Sequence, residues 1–103
     1  MADQSVTYES VVAEMIATSP ATASKMFGMP CLKINGKAFA GMTEGAMVFK
    51  LAGESHGAAL KLTGAHLFDP MGGRPMKEWV VVPPAHSARW LALARDAMGY
   101  VGK

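Results

Sequence analysis

The dipeptide Asn35-Gly36, set between the apolar stretches "CLKI" and "KAFAGM", constrains this chain more than any other feature. Asparagine and glycine best tolerate the two consecutive positive φ angles of a type I′ turn, whose twist matches that of the strands it joins. A tight hairpin fixes register, and register decides which side chains share a face. With Asn35 and Gly36 as the loop, Ile34 pairs with Lys37 and Leu32 with Phe39. The next connection, Thr43-Glu44-Gly45, suits a three-residue loop with glycine in the left-handed region. That loop sets Met42 opposite Ala46, Gly41 opposite Met47 and Phe39 opposite Phe49. Leu32, Ile34, Phe39, Met47, Phe49 and Leu51 then form one continuous apolar face, with Gly41 leaving room for Met47.

The segments around this meander read with a different period. Tyr8, Val11, Val12, Met15 and Ile16 recur at three- and four-residue spacing, which predicts an amphipathic helix over 5–18, with Ser5 as N-cap and Pro20 beyond its end. "GESHGAALKLTG" predicts a short helix near 54–62, stopped by Gly64. "HLFDPMGGRPMKEWVVVPP" predicts two strands, near 65–68 and 75–82, around a loop of turn residues. Trp90, Leu91, Ala94, Ala97, Met98 and Val101 form the apolar stripe of a last helix. The expected architecture is α+β, an antiparallel sheet of about five strands with three helices in the order α-β-β-β-α-β-β-α. All 103 residues fall in a single domain, since a chain of this length supports one core and not two.

The opposite side of the meander carries Cys31, Lys33, Ala38, Ala40, Met42, Ala46, Val48 and Lys50. A sheet open to water alternates apolar with polar residues, and this side does not. It therefore needs a cover, and Cys31, Ala38, Ala40, Met42, Ala46 and Val48 become the expected contact face for a protein partner, most simply a second copy. The competing expectation is that the last helix folds back over the same face.

Composition narrows the function classes. Ten basic against eight acidic residues give a formal charge of +2, too little to predict a nucleic-acid partner from charge alone. Lys33, Lys50 and Arg74 are the candidate anion or nucleic-acid contacts, with Arg74 inside the turn-rich "PMGGRP". The first residues lack the pattern of a secretory signal, and no apolar run is long enough to span a bilayer, so the expected location is cytoplasmic. Cys31 is the only cysteine, which excludes an internal disulfide and four-cysteine zinc sites. His56, His66 and His86 lie ten and twenty residues apart, unlike compact metal motifs. No metal, cofactor or small-molecule ligand is expected. A catalytic role for Cys31 would need a base and a lowered pKa, and nothing in the sequence brings Cys31, the histidines and Asp69 together. Trp79 and Trp90 sit in apolar patterns and are expected in the core.

Met26-Phe27-Gly28 after the first helix, then "INGKAFAGM", "MVFKL", "KEWVVVP" and a last helix, resemble the TfoX N-terminal domain family, named after the front half of the competence regulator TfoX/Sxy. The likeness covers nearly the whole chain. It implies an α+β domain similar to the secretion-chaperone-like fold, with helices packed on an antiparallel sheet, and it supplies no catalytic residues. Family members commonly continue Met-Phe-Gly with another glycine, whereas Met29-Pro30 follows here. The function so implied is that of a non-enzymatic protein-interaction or regulatory domain. The alternative is a regulatory module that touches nucleic acid.

Overall fold

The computed structural model describes residues 7–26, 29–43, 45–69 and 76–102. The chain is α+β, with a six-stranded antiparallel sheet and three helices. Helix α1 (Tyr8–Thr18) leads into β1 (Thr22–Met26), β2 (Met29–Ile34), β3 (Lys37–Thr43) and β4 (Ala46–Lys50). Helix α2 (Gly53–Leu60), β5 (His66–Phe68), β6 (Met76–Val82), a 3-10 turn at Pro84–Arg89 and α3 (Trp90–Val101) follow. The strands lie in the order β1-β2-β3-β4-β6-β5. The strand missing from the sequence reading is β1, so the observed order is α-β-β-β-β-α-β-β-α.

Helix α1 starts later than expected because a capping box forms at Thr7. The Ser10 N–H donates to Thr7 Oγ1 at 3.1 Å, and the Thr7 N–H donates to Ser10 Oγ at 3.0 Å. Together they satisfy donors that the first helical turn leaves open. The Ser5 cap falls outside the described residues. In α3, Trp90 anchors the first turn by donating from Nε1 to the Val82 carbonyl at 3.2 Å.

Asn35 and Gly36 have φ of 53° and 78°, as the type I′ hairpin requires, and Ile34 pairs with Lys37. Two corrections to the register follow. Between β2 and β3 a bulge intervenes, so that Lys33 pairs with Ala38 but Leu32 pairs with Ala40, leaving Phe39 as the extra residue. Between β3 and β4, Thr43 pairs with Ala46 and Met42 with Met47, which shortens the expected three-residue loop to two. Gly45 is at φ 84°, and a left-handed glycine serves either loop length. Gly41 consequently stands opposite Val48 instead of Met47. A Cβ there would lie 2.8 Å from Met29 Cε and 3.1 Å from the Pro30 carbonyl oxygen, so the room that it leaves is used by β2.

All three helices lie on one side of the sheet. Tyr8, Val11 and Met15 of α1, Ala59 of α2, and Trp90, Leu93, Ala94 and Ala97 of α3 pack with Leu32, Ile34, Phe39, Ala40, Met47, Phe49, Leu51, Val80 and Val82. The six residues expected on one apolar face are all in this core. Among the described residues no helix is long and apolar enough to cross a membrane.

Candidate interaction surface

The structure separates the six residues expected to form a contact face. Cys31, Ala38, Ala46 and Val48 do lie on the side away from the helices, whereas the bulge and the two-residue loop turn Ala40 and Met42 towards them. Ala40 is fully buried there and Met42 half-buried. The helix-free side is not bare. Met29, Ala46, Val48, Phe68, Trp79 and Val81, with Ala38 and Met76 half-buried beside them, form a second apolar cluster. Val48 and Cys31 have no solvent access within the single chain. The sequence alone makes this side a face that needs a cover, from a protein partner, most simply a second copy, or from the last helix. Among the described residues it contains no exposed large hydrophobic side chain for such a cover to bury.

Cys31 has the opposite of a nucleophile's surroundings. Burial pushes its thiol pKa up, and the neighbouring Lys33 charge only partly offsets that. Alkylation by iodoacetamide at pH 7.5 is expected to run at least ~100-fold slower than for a free thiol, because it must wait for the chain to open. Labelling at the free-thiol rate in the folded protein would overturn this placement. Each histidine ring has a backbone carbonyl within reach: His56 Nε2 lies 2.6 Å from Lys77 O, His66 Nδ1 3.1 Å from Gly64 O and His86 Nε2 2.9 Å from Thr63 O. These contacts place a proton on those nitrogens and tie α2, the β5 approach and the 3-10 turn to their neighbours. No group of three His, Cys, Asp or Glu side chains that could hold a metal occurs among the described residues. Lys33 is half-buried on β2, Lys50 is in an ion pair with Glu78 at 3.8 Å, and Arg74 falls outside the described residues.

Two features remain that could contact another molecule. One is a shallow cleft of about 280 Å³ between α2 and α3, floored by Ala59 and Leu93 and rimmed by Glu54, Arg89 and Asp96. Ser55 donates to Asp96 there at 3.2 Å, so part of the rim is already paired within the chain.

The other is the side of the molecule made by β1 and α1. Strand β1 is the sheet's outer strand, paired with β2 at all five positions without a bulge. Ala23 and Lys25 share the helix side with Leu32 and Pro30, and Thr22 and Ser24 share the other side with Lys33 and Cys31. Thr22, Ala23, Ser24 and Lys25 are all exposed, so these four residues add nothing to either apolar cluster and are held by the backbone pairing of β1 with β2. Among the described residues no strand pairs with its outer edge, where N–H and C=O groups point outward at alternate residues. Strand β5, at the far edge, has three residues and a register irregularity, a poor template for further pairing.

Helix α1 lies beside this edge, touching both β1 and α3. Arg95 of α3 reaches Glu14 at 3.3 Å and Thr18 at 3.5 Å. Ile16 is two residues on from Glu14, about 200° round the helix, so it faces away from α3 and towards the β1 side. It is 47% exposed and the one large hydrophobic residue so exposed among those described. Exposed Ala13 and half-buried Val12 sit one turn before it. The sequence reading missed this surface, because Ile16 falls within the α1 apolar stripe and β1 has no alternating pattern. Comparison of the chain with protein-family models, with curated proteins and with solved structures finds no match.

Proposed function

We propose that this chain is a non-enzymatic protein-interaction domain that docks through the side formed by β1 and α1. The observation that carries the reading is the juxtaposition of a five-residue edge strand, which no other described strand pairs on its outer side, with the exposed Ile16 of the helix that contacts it. Edge strands in monomeric proteins are blunted by charge, proline, bulges or shortness, and β1 has only Lys25 to do so. Edge pairing supplies backbone hydrogen bonds and an adjoining apolar patch supplies specificity. The resemblance to the front half of a competence regulator supports a regulatory setting for such docking.

The reading is tested in extract of the source cell with the chain at its native level. The chain is expected to migrate in an assembly heavier than itself, to fall to its own mass when Ile16→Glu is introduced, and to be unmoved by Ala58→Glu on α2. Migration at its own mass, or an assembly indifferent to Ile16→Glu, would refute the proposal.

A further inference from the structure

We infer that the occupant of the β1–α1 side is a second copy of this chain, joined by antiparallel pairing of β1 with β1 across a two-fold axis at Ser24. The inference rests on the interaction reading and names its partner.

Three observations select this occupant. First, the free edge requires an extended strand, and β1 can pair with itself without conflict. Centred on Ser24, the register sets Ala23 opposite Lys25 of the second copy, Ser24 opposite its own equivalent, and Thr22 opposite position 26. The one charge on the strand never faces its own copy, whereas a register centred on Lys25 would set two lysines face to face, which is destabilising.

Second, a two-fold axis perpendicular to the sheet keeps both helix layers on the same side. Helix α1 has eleven residues and β1 has five, so each is about 16 Å long, and α1 contacts β1 on one hand and α3 on the other. Joining the strands therefore brings α1 against α1 of the second copy. Val12, Ala13 and Ile16 lie on the flank that faces across, because the opposite flank holds Glu14 and Thr18 against Arg95.

Third, one contact covers both open features. A bare peptide strand would satisfy the β1 edge and leave Ile16 in water. A second copy pairs the edge and buries Ile16 in the same step, merging two six-stranded sheets into one of twelve. One short strand and one helix flank make a small interface, at or below roughly 1,200 Å² in total, the size range of weak and transient complexes. The association is accordingly expected at micromolar to tens-of-micromolar concentration.

Sedimentation of the purified full chain from about 1 to 500 µM tests this. The wild type is expected to pass from monomer to dimer across that range. Ser24→Glu, which sets two carboxylates opposite each other on the axis, and Ile16→Glu are each expected to raise the dissociation constant at least ~10-fold. Both positions are exposed, so thermal unfolding serves as the folding control. Ala58→Glu should change nothing. A wild type that is monomeric throughout, or a dimer that neither variant weakens, overturns the inference. If the purified chain is monomeric while the assembly in extract is still lost with Ile16→Glu, the docking side stands and its partner is a different protein. If both fail, the interaction reading fails with it.

Discussion

Val48→Asp is expected to leave the chain unfolded at 25 °C. Val48 lies at the centre of β4, between Gly41 of β3 and Val81 of β6, and has no solvent access. Its neighbours in the second cluster, Met29, Phe68, Trp79 and Val81, include no cation, and the Trp79 indole N–H is the one side-chain donor among them, too little to hold a carboxylate in place. An unpaired charge at such a site costs several kcal/mol, set against a total stability of about 5–15 kcal/mol for a domain of this kind. Val48→Ala removes two methyl groups without adding charge and is expected to cost about 2 kcal/mol. Circular dichroism with urea titration separates the two variants. If the helix-free face were wetted, both changes would fall within about 0.5 kcal/mol of the wild type. A folded Val48→Asp protein with a near-native midpoint would therefore show that the second cluster does not exist in solution.

The hairpin at Asn35-Gly36 was legible because its backbone demand is chemical: few dipeptides accept two positive φ angles. The α3 stripe was legible because Trp90, Ala94 and Ala97 keep helical period and are buried, whereas the expected Leu91 is half-buried and Leu93, outside the expected stripe, is buried beside them. Strand β1 was not. Its residues, Thr-Ala-Ser-Lys-Met, show no alternation, since Thr22, Ala23, Ser24 and Lys25 are all exposed whichever face they lie on, and the strand forms by pairing with β2. The bulge at Phe39 was hidden for a related reason. No glycine marks it, and its cause is tertiary: Phe39 and Ala40 both lie in the core beneath the helices.

The greasy character of the Cys31–Ala38–Ala46–Val48 side could be read directly, but its cover could not. Phe68 and Trp79 reach it from β5 and β6, distant in sequence and placed there by the pairing of β4 with β6. The β1–α1 side escaped the sequence reading because helical period alone assigns Ile16 to the core. Only the contact of Glu14 and Thr18 with α3 shows which way that edge of the stripe points.

The bulge makes its own strong prediction. In a regular strand, adjacent residues point to opposite faces, so no more than one of Phe39 and Ala40 would reach the helix-covered core. Here both have zero exposure in that core, with Ala94 and Ala97 of α3 equally buried in it. Phe39→Ala deletes one of the largest buried side chains and is expected to cost about 3–5 kcal/mol, a fall in melting temperature of about 15–30 °C for a domain of this size. Ala40→Glu inserts a charge into the same layer and is expected to prevent folding altogether. Phe39→Leu should lose less, about 1.5 kcal/mol, since most of the volume is kept. The pair discriminates between the two strand geometries. If Ala40→Glu were tolerated while Phe39→Ala remained severe, β3 would be unbulged, with Ala40 facing outward as the hairpin register alone implies. Severity at both adjacent positions is what the bulged strand requires, and tolerance of Ala40→Glu is the outcome that overturns it.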